Sequence, residues 1–278
     1  MKKTLKKVLI ISICLFVAFA LSCASGSSAQ GTRSSAALQA GQLLYETNFN
    51  EIPEGTLLTE IPFWSVRRLT NGSATGLQQD ELAAGDASTQ KIVRSGTNGY
   101  ISLTPNVRPQ NFVSGAAYFN VNEATGGNTT SSIFVNFKIR FDLTGTGPNA
   151  GNTNKRIMFY DGGNNFALNG FAGYVFNPSN NTVRATIIDN SATDVNVPGG
   201  FHNNNRRFND ISILIDYQNQ ETRIWVNGRE AGRNPSPFYR TGVQPGNLTI
   251  FIGDTGVALN SDTVFIDDFA IYEGVAAR

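Results

Sequence analysis

Between residues 208 and 230 the side chains change character at every second position, and that pattern commits the chain to β structure. Ile211, Ile213, Ile215 and Tyr217 alternate with Ser212, Leu214 and Asp216, the period of a half-buried strand rather than of a helix. Gln218-Asn219-Gln220-Glu221 interrupts with polar turn formers, and residues 222–226 resume as a second strand. Ile224 and Val226 lie on one face of it, Arg223 and Trp225 on the other. Asn227-Gly228 then places side by side two residues that tolerate φ > 0, the requirement of a two-residue hairpin turn. A lone hairpin is marginal in water, so this one predicts a larger sheet around it.

The cleanest alternation is at residues 133–141. Ile133, Val135, Phe137, Ile139 and Phe141 share one face and are expected in an inter-sheet core. Burying each is worth roughly 1.5–3 kcal/mol before the cost of ordering the chain. Phe134, Asn136, Lys138, Arg140 and Asp142 share the other face. Further strands are expected near 43–49, 63–69, 91–94, 100–103, 116–121, 156–160, 171–176, 182–188, 248–252 and 263–272. Gly-Gly, Asn-Gly, Pro-Asn and Asn-Asn turn signals separate them, and no sustained 3.6-residue apolar period, repeat or interdomain linker intervenes. The expected fold is all-β, a two-sheet antiparallel jelly-roll sandwich over residues 42–278.

Three motifs, in order, carry a family resemblance. Ile215-Asp216-Tyr217 is followed by Trp225-Val226-Asn227-Gly228, then by Leu248-Thr249-Ile250-Phe251-Ile252-Gly253. The chain closes on Ile266-Asp267-Asp268-Phe269-Ala270-Ile271-Tyr272. Together they resemble the concanavalin A-like superfamily of lectins and glucanases, with its laminin-G-like members, over about residues 43–273. The resemblance implies a jelly roll that binds carbohydrate. In related jelly rolls a calcium ion joins the first and last strands, which here points to Glu46 and Asp267 as metal ligands. An arginine or backbone amides could instead serve the Asp267 carboxylate, which alternates with Phe265, Phe269 and Ile271 and so is expected on the apolar side.

The N-terminus reads as an address. Lys2, Lys3, Lys6 and Lys7 precede an apolar run at residues 8–21, so residues 1–22 are expected to be a signal peptide. Ala20-Leu21-Ser22-Cys23 resembles a bacterial lipobox, although Ser27-Ser28-Ala29 offers an ordinary cleavage site. Cys14 leaves with the signal, and a single exported thiol needs a reason, which lipidation of Cys23 supplies. Residues 23–41, rich in Ser, Ala and Gly, are expected to be a flexible tether. Losing four lysines leaves eighteen basic residues against twenty-one acidic ones, a net charge of about −3. There is no basic tract, so no nucleic-acid partner is expected, and a membrane only through the lipid.

Several chemistries are poorly served. Retaining hydrolysis on this fold needs paired carboxylates along one strand face, and no Glu-x-Asp-x-x-Glu run exists. Asp267 and Asp268 are adjacent, so they are expected on opposite faces of their strand. The only histidine is His202, in the loop at residues 199–205, which disfavours serine or cysteine triads and zinc. Trp64 reads as core. Trp225 is either a stacking platform for the C–H faces of sugars or a packed residue under a loop.

If the outward side of 133–141 and the Arg223/Trp225 side share one sheet, Asn136, Lys138, Arg140, Arg223 and Trp225 line one binding surface. Plain solvated surface is the competing reading. Arginine outnumbers lysine fifteen to three beyond residue 22, and guanidinium suits bidentate carboxylate recognition, favouring an acidic glycan. The expectation is an envelope-tethered carbohydrate-binding or adhesion domain. The alternatives are a glycoside hydrolase or polysaccharide lyase with an atypical site, and a structural envelope protein.

Overall fold

The strand at residues 133–141 becomes the middle strand of an eight-stranded sheet. A computed structural model of the chain describes residues 40–70, 78–81, 90–104, 116–127, 131–143, 155–162, 169–185, 194–202, 206–254 and 263–274. The expected signal peptide, Cys23 and the expected tether as far as residue 39 lie outside the described residues, whereas residues 40 and 41, expected to end the tether, belong to the first strand, where Ala40 pairs with Gly274.

In chain order the strands begin with β1 (Ala40–Thr47), β2 (Trp64–Ser65), β3 (Arg67–Thr70), β4 (Gln78–Glu81), β5 (Gln90–Ser95) and β6 (Asn98–Leu103). Next come β7 (Ala116–Asn120), the one-turn helix α1 (Val121–Ala124), β8 (Ser132–Asp142), β9 (Lys155–Asp161) and β10 (Gly170–Asn177). The remainder are β11 (Thr182–Ala185), β12 (Val195–Asn196), β13 (Asn209–Asp216), β14 (Glu221–Val226), β15 (Arg229–Pro237), β16 (Leu248–Asp254) and β17 (Thr263–Gly274).

One sheet runs β15-β14-β13-β8-β17-β6-β5, with β1 also paired to β17, and the other runs β12-β11-β10-β9-β16-β7-β2. β3 and β4 form a separate ribbon. Neighbouring strands are antiparallel, and the result is the expected jelly-roll sandwich.

The core lies between the two sheets. Ile133, Val135, Phe137, Ile139 and Phe141 all face it and are buried. Aromatic rings bridge the sheets: Phe119 of β7 meets Phe269 of β17 at 4.7 Å, and Phe141 of β8 meets Phe176 of β10 at 6.3 Å. Trp64 is buried against Phe119 and Phe269, a core residue as expected. Asn227 and Gly228, with φ of 52° and 73°, make the tight turn from β14 to β15.

Two departures from the expected strands have clear causes. β15 was not legible, because Pro235 and Pro237 argue against a strand. It survives as an edge strand because the Asn234 side chain replaces the missing ladder bonds. Asn234 Oδ1 accepts from the Ile224 N–H at 3.1 Å, and its Nδ2 donates to the Ile224 and Ala231 carbonyls.

The second departure is a bulge in β17. Asp267 pairs with Lys138 but Ala270 pairs with Asn136, so Asp268 and Phe269 together oppose Phe137. Asp268 takes φ 45° there. The extra residue switches the phase of the strand. Val264 and Ile266 face the core before the bulge, Phe269 and Ile271 after it. Asp267 therefore does not share the apolar side with Phe269 and Ile271; it lies with Phe265 on the outer side.

Candidate functional site

β8, β13 and β14 are adjacent, so the outer sides of β8 and β14 form one surface. Asn136 lies opposite Ser212, which lies opposite Trp225, which lies opposite Glu230 on β15. Lys138 is opposite Asp210, and Phe134, Leu214 and Arg223 make a parallel row. The structure thus brings Asn136, Lys138, Arg140, Arg223 and Trp225 onto a single face, with β13 between their strands. At about 4.8 Å per strand, β8 and β14 are separated by roughly 10 Å. Trp225 is half-buried, with its ring 6.1 Å from that of Phe134. It is neither a free platform nor a core residue.

The three cations of this face are already engaged. Lys138 Nζ is 2.5 Å from Asp268 Oδ2, and that contact lifts the lysine above its ordinary range. Arg223 Nη2 is 3.3 Å from Glu221 Oε1. Arg140 stands among three rings, its guanidinium carbon 4.2 Å from the Phe265 centroid, 4.9 Å from Tyr100 and 5.0 Å from Phe208. Cation–π attraction holds it there, and its buried Nε has no hydrogen-bond partner. Arg140 joins the outer sides of β6, β8 and β17 to the residue preceding β13. Nothing in the sequence pointed to this box, because its rings come from three distant segments.

Asp267 is 3% exposed. Burial pushes its pKa up, opposed by the donors it receives: Asn98 Nδ2 at 2.9 Å on Oδ2 and the Asp268 N–H at 2.8 Å on Oδ1. Glu46 is exposed on β1, opposite Ala270. No group of three or more His, Cys, Asp or Glu residues gathers among the described residues. The Asp267 carboxylate is thus served by an amide and a backbone N–H, the alternative to a metal that its burial left open.

Glu46 instead borders a recess of about 340 Å³ beside the bulge. Asp268, Ala270, Tyr272, Thr47 and Asn48 also line it. Sequence reasoning missed this recess, since it depends on the pairing of β1 with β17 and on the bulge. His202, by contrast, is held in its loop: its backbone N–H donates to Asn209 Oδ1 at 2.7 Å.

Neither a family model nor a curated protein sequence matches the chain. Among solved structures, a sialidase aligns with 85% of this chain and 19% of its own, at TM-score 0.50 and 9% identity. The likeness is one of fold. This chain spans about a fifth of that sialidase. Trypanosoma rangeli sialidase in complex with sialic acid aligns with 77% of this chain and 31% of its own, at TM-score 0.45 and 11% identity. The binding domain of Paraclostridial Mosquitocidal Protein 1 aligns with 76% of this chain and 49% of its own, at TM-score 0.43 and 13% identity.

Proposed function

We propose that this chain is a non-catalytic carbohydrate-binding or adhesion domain of the concanavalin A-like kind, held at the bacterial envelope by a lipid on Cys23. The observation that carries the reading is the single outer face shared by β8, β13 and β14. It combines a half-buried tryptophan, side-chain amide and hydroxyl groups, and charged groups fixed by their own partners. Aromatic faces stack on sugar C–H faces, and preordered polar groups meet hydroxyls without losing much further freedom.

The test is a glycan array on the soluble form lacking residues 1–39, which keeps β1 whole. Trp225→Ala should weaken binding of the retained glycan by about 1–3 kcal/mol, the scale of losing one interface anchor, with an unchanged melting curve. Collapse of the fold in that variant, or an array without a single binder, would remove the reading.

A hydrolase is the second reading, and one observation favours it. Glu46 and Asp268, from neighbouring strands, put two carboxylates in one recess. Chain shortening of whichever glycan the array retains, lost in Glu46→Gln, would establish that activity. The strand edges offer less to a protein partner. β15 carries two prolines, β2 and β12 have two residues each, and β5 is partly covered where Ile92 exchanges backbone hydrogen bonds with Gly55 and Thr56.

A further inference from the structure

Glu46, Ala270, Asn136, Ser212, Trp225 and Glu230 are successive partners on β1, β17, β8, β13, β14 and β15. Their outward positions form a row that crosses six strands at right angles to them. The residues in its middle, Ala270, Asn136 and Ser212, are small or short. Larger residues flank the row: Asp268, Lys138 and Asp210 on one side, Tyr272, Phe134 and Leu214 on the other. Phe134 and Leu214 are nearly covered, so the ring surface left accessible belongs to the half-buried Tyr272 and Trp225. At one end the row opens into the recess of about 340 Å³ floored by Ala270, at the lower end of the range for small-ligand sites of roughly 300–1,000 Å³. Along the floor, Asn136 Oδ1 is buried with no hydrogen-bond partner.

The charge on this face selects among ligands. Glu46, Asp210, Asp267, Asp268, Glu221 and Glu230 outnumber Lys138, Arg140 and Arg223. Two of those cations are paired to carboxylates of the same face, and the third is boxed by rings. An acidic chain would bring like charge to this surface, whereas carboxylates and amides accept hydrogen bonds from the hydroxyls of a neutral sugar.

Resting on the carbohydrate-binding reading above, we infer that the ligand is a neutral polysaccharide lying across the strands, with one sugar in the Ala270 recess and another against Trp225. Glu46 and Asp268 accept hydroxyl hydrogen bonds in the recess, and the Tyr272 ring takes a C–H face. The acidic glycan suggested by the arginine count is not what this face is built for.

The test is calorimetric titration of the form lacking residues 1–39 with xyloglucan and galactomannan as neutral chains, and with pectate and alginate as acidic ones. Each is measured at low and high salt on the wild type and on Trp225→Ala, Ala270→Leu and Glu46→Gln. Neutral chains should bind with little salt dependence, and acidic ones at least tenfold more weakly. Ala270→Leu, which fills the recess, should cost at least tenfold, and Trp225→Ala about 5- to 150-fold. Glu46→Gln, an exposed change that leaves folding alone, should cost about threefold or more. Preference for pectate or alginate, or binding sensitive to Trp225 but indifferent to both Ala270→Leu and Glu46→Gln, overturns this inference and leaves the broader reading standing. Binding of none of the four, with none on the array, overturns both.

Discussion

At residue scale the molecule is held by asparagines in places where the sequence shows only polar turns. Asn209 is fully buried, and its Oδ1 accepts from the His202 N–H and from Asn227 Nδ2, while Asn227 Oδ1 accepts from the Asp210 N–H. Asn227 therefore does more than permit φ > 0; it fastens the turn to β13. Asp267 is the titrating counterpart. Its folded pKa is raised, first by burial, above the unfolded value of 3.8. Above 3.8 the folded state holds the proton longer than the unfolded chain, so Asp267 withdraws stability as pH rises through its folded pKa. In Asp267→Asn that loss is absent. The melting temperature of the variant minus that of the wild type should climb as pH is raised from about 4 to 7. A difference that falls over that interval, measured by calorimetry, would contradict the burial argument.

At the scale of elements, β15 shows how one side chain can sustain an edge. Asn234→Ala removes three hydrogen bonds, two that span the irregular pairing of β14 with β15 and one within β15 to the Ala231 carbonyl. It should cost about 1–3 kcal/mol in urea unfolding, whereas substitution of the exposed Arg229 should cost almost nothing. The contrast explains what could be read in advance. β8, β13 and β14 announce themselves because one side of each is buried, and burial on one side writes a period of two into the residues. β15 has Gly232, Pro235 and Pro237 where that period would stand, and β12 is two residues long. The five surface residues were legible as outward-facing on their own strands. That they share a sheet was not, because strands from remote parts of the chain pair through backbone groups that every sequence possesses. The recess was hidden for a further reason: Glu46 and Asp268 come from opposite ends of the chain and meet only because β1 returns beside β17.

For the whole molecule, the fold supplies a sandwich with one continuous outer face, and the N-terminal segment supplies a proposed anchor. Cys23→Ser should abolish incorporation of a labelled fatty acid and release the protein from the membrane fraction. Incorporation that survives the change would leave the anchor without its residue. Around neutral pH the chain beyond residue 22 carries about three more acidic than basic groups, so attachment through the proposed lipid should be insensitive to salt. A polybasic attachment would instead be stripped at high ionic strength. The proposed binding face and the proposed anchor are thus separable by experiment, one by variants on β14 and β17, the other by a single atom at residue 23.

The bulge in β17 has a bearing on how this strand tolerates changes of length. Without Asp268, Phe269 would fall directly opposite Phe137, and Val264, Ile266, Phe269 and Ile271 would be inward in unbroken alternation. The strand is therefore in frame with its core only when one residue is left uncounted, and that residue is an aspartate in a backbone conformation costly for most side chains. Deleting Asp268, unlike deleting any neighbour, should leave melting close to wild type while stripping Lys138 of its partner and the recess of a wall. An insertion that the core could do without is where a face acquires its chemistry.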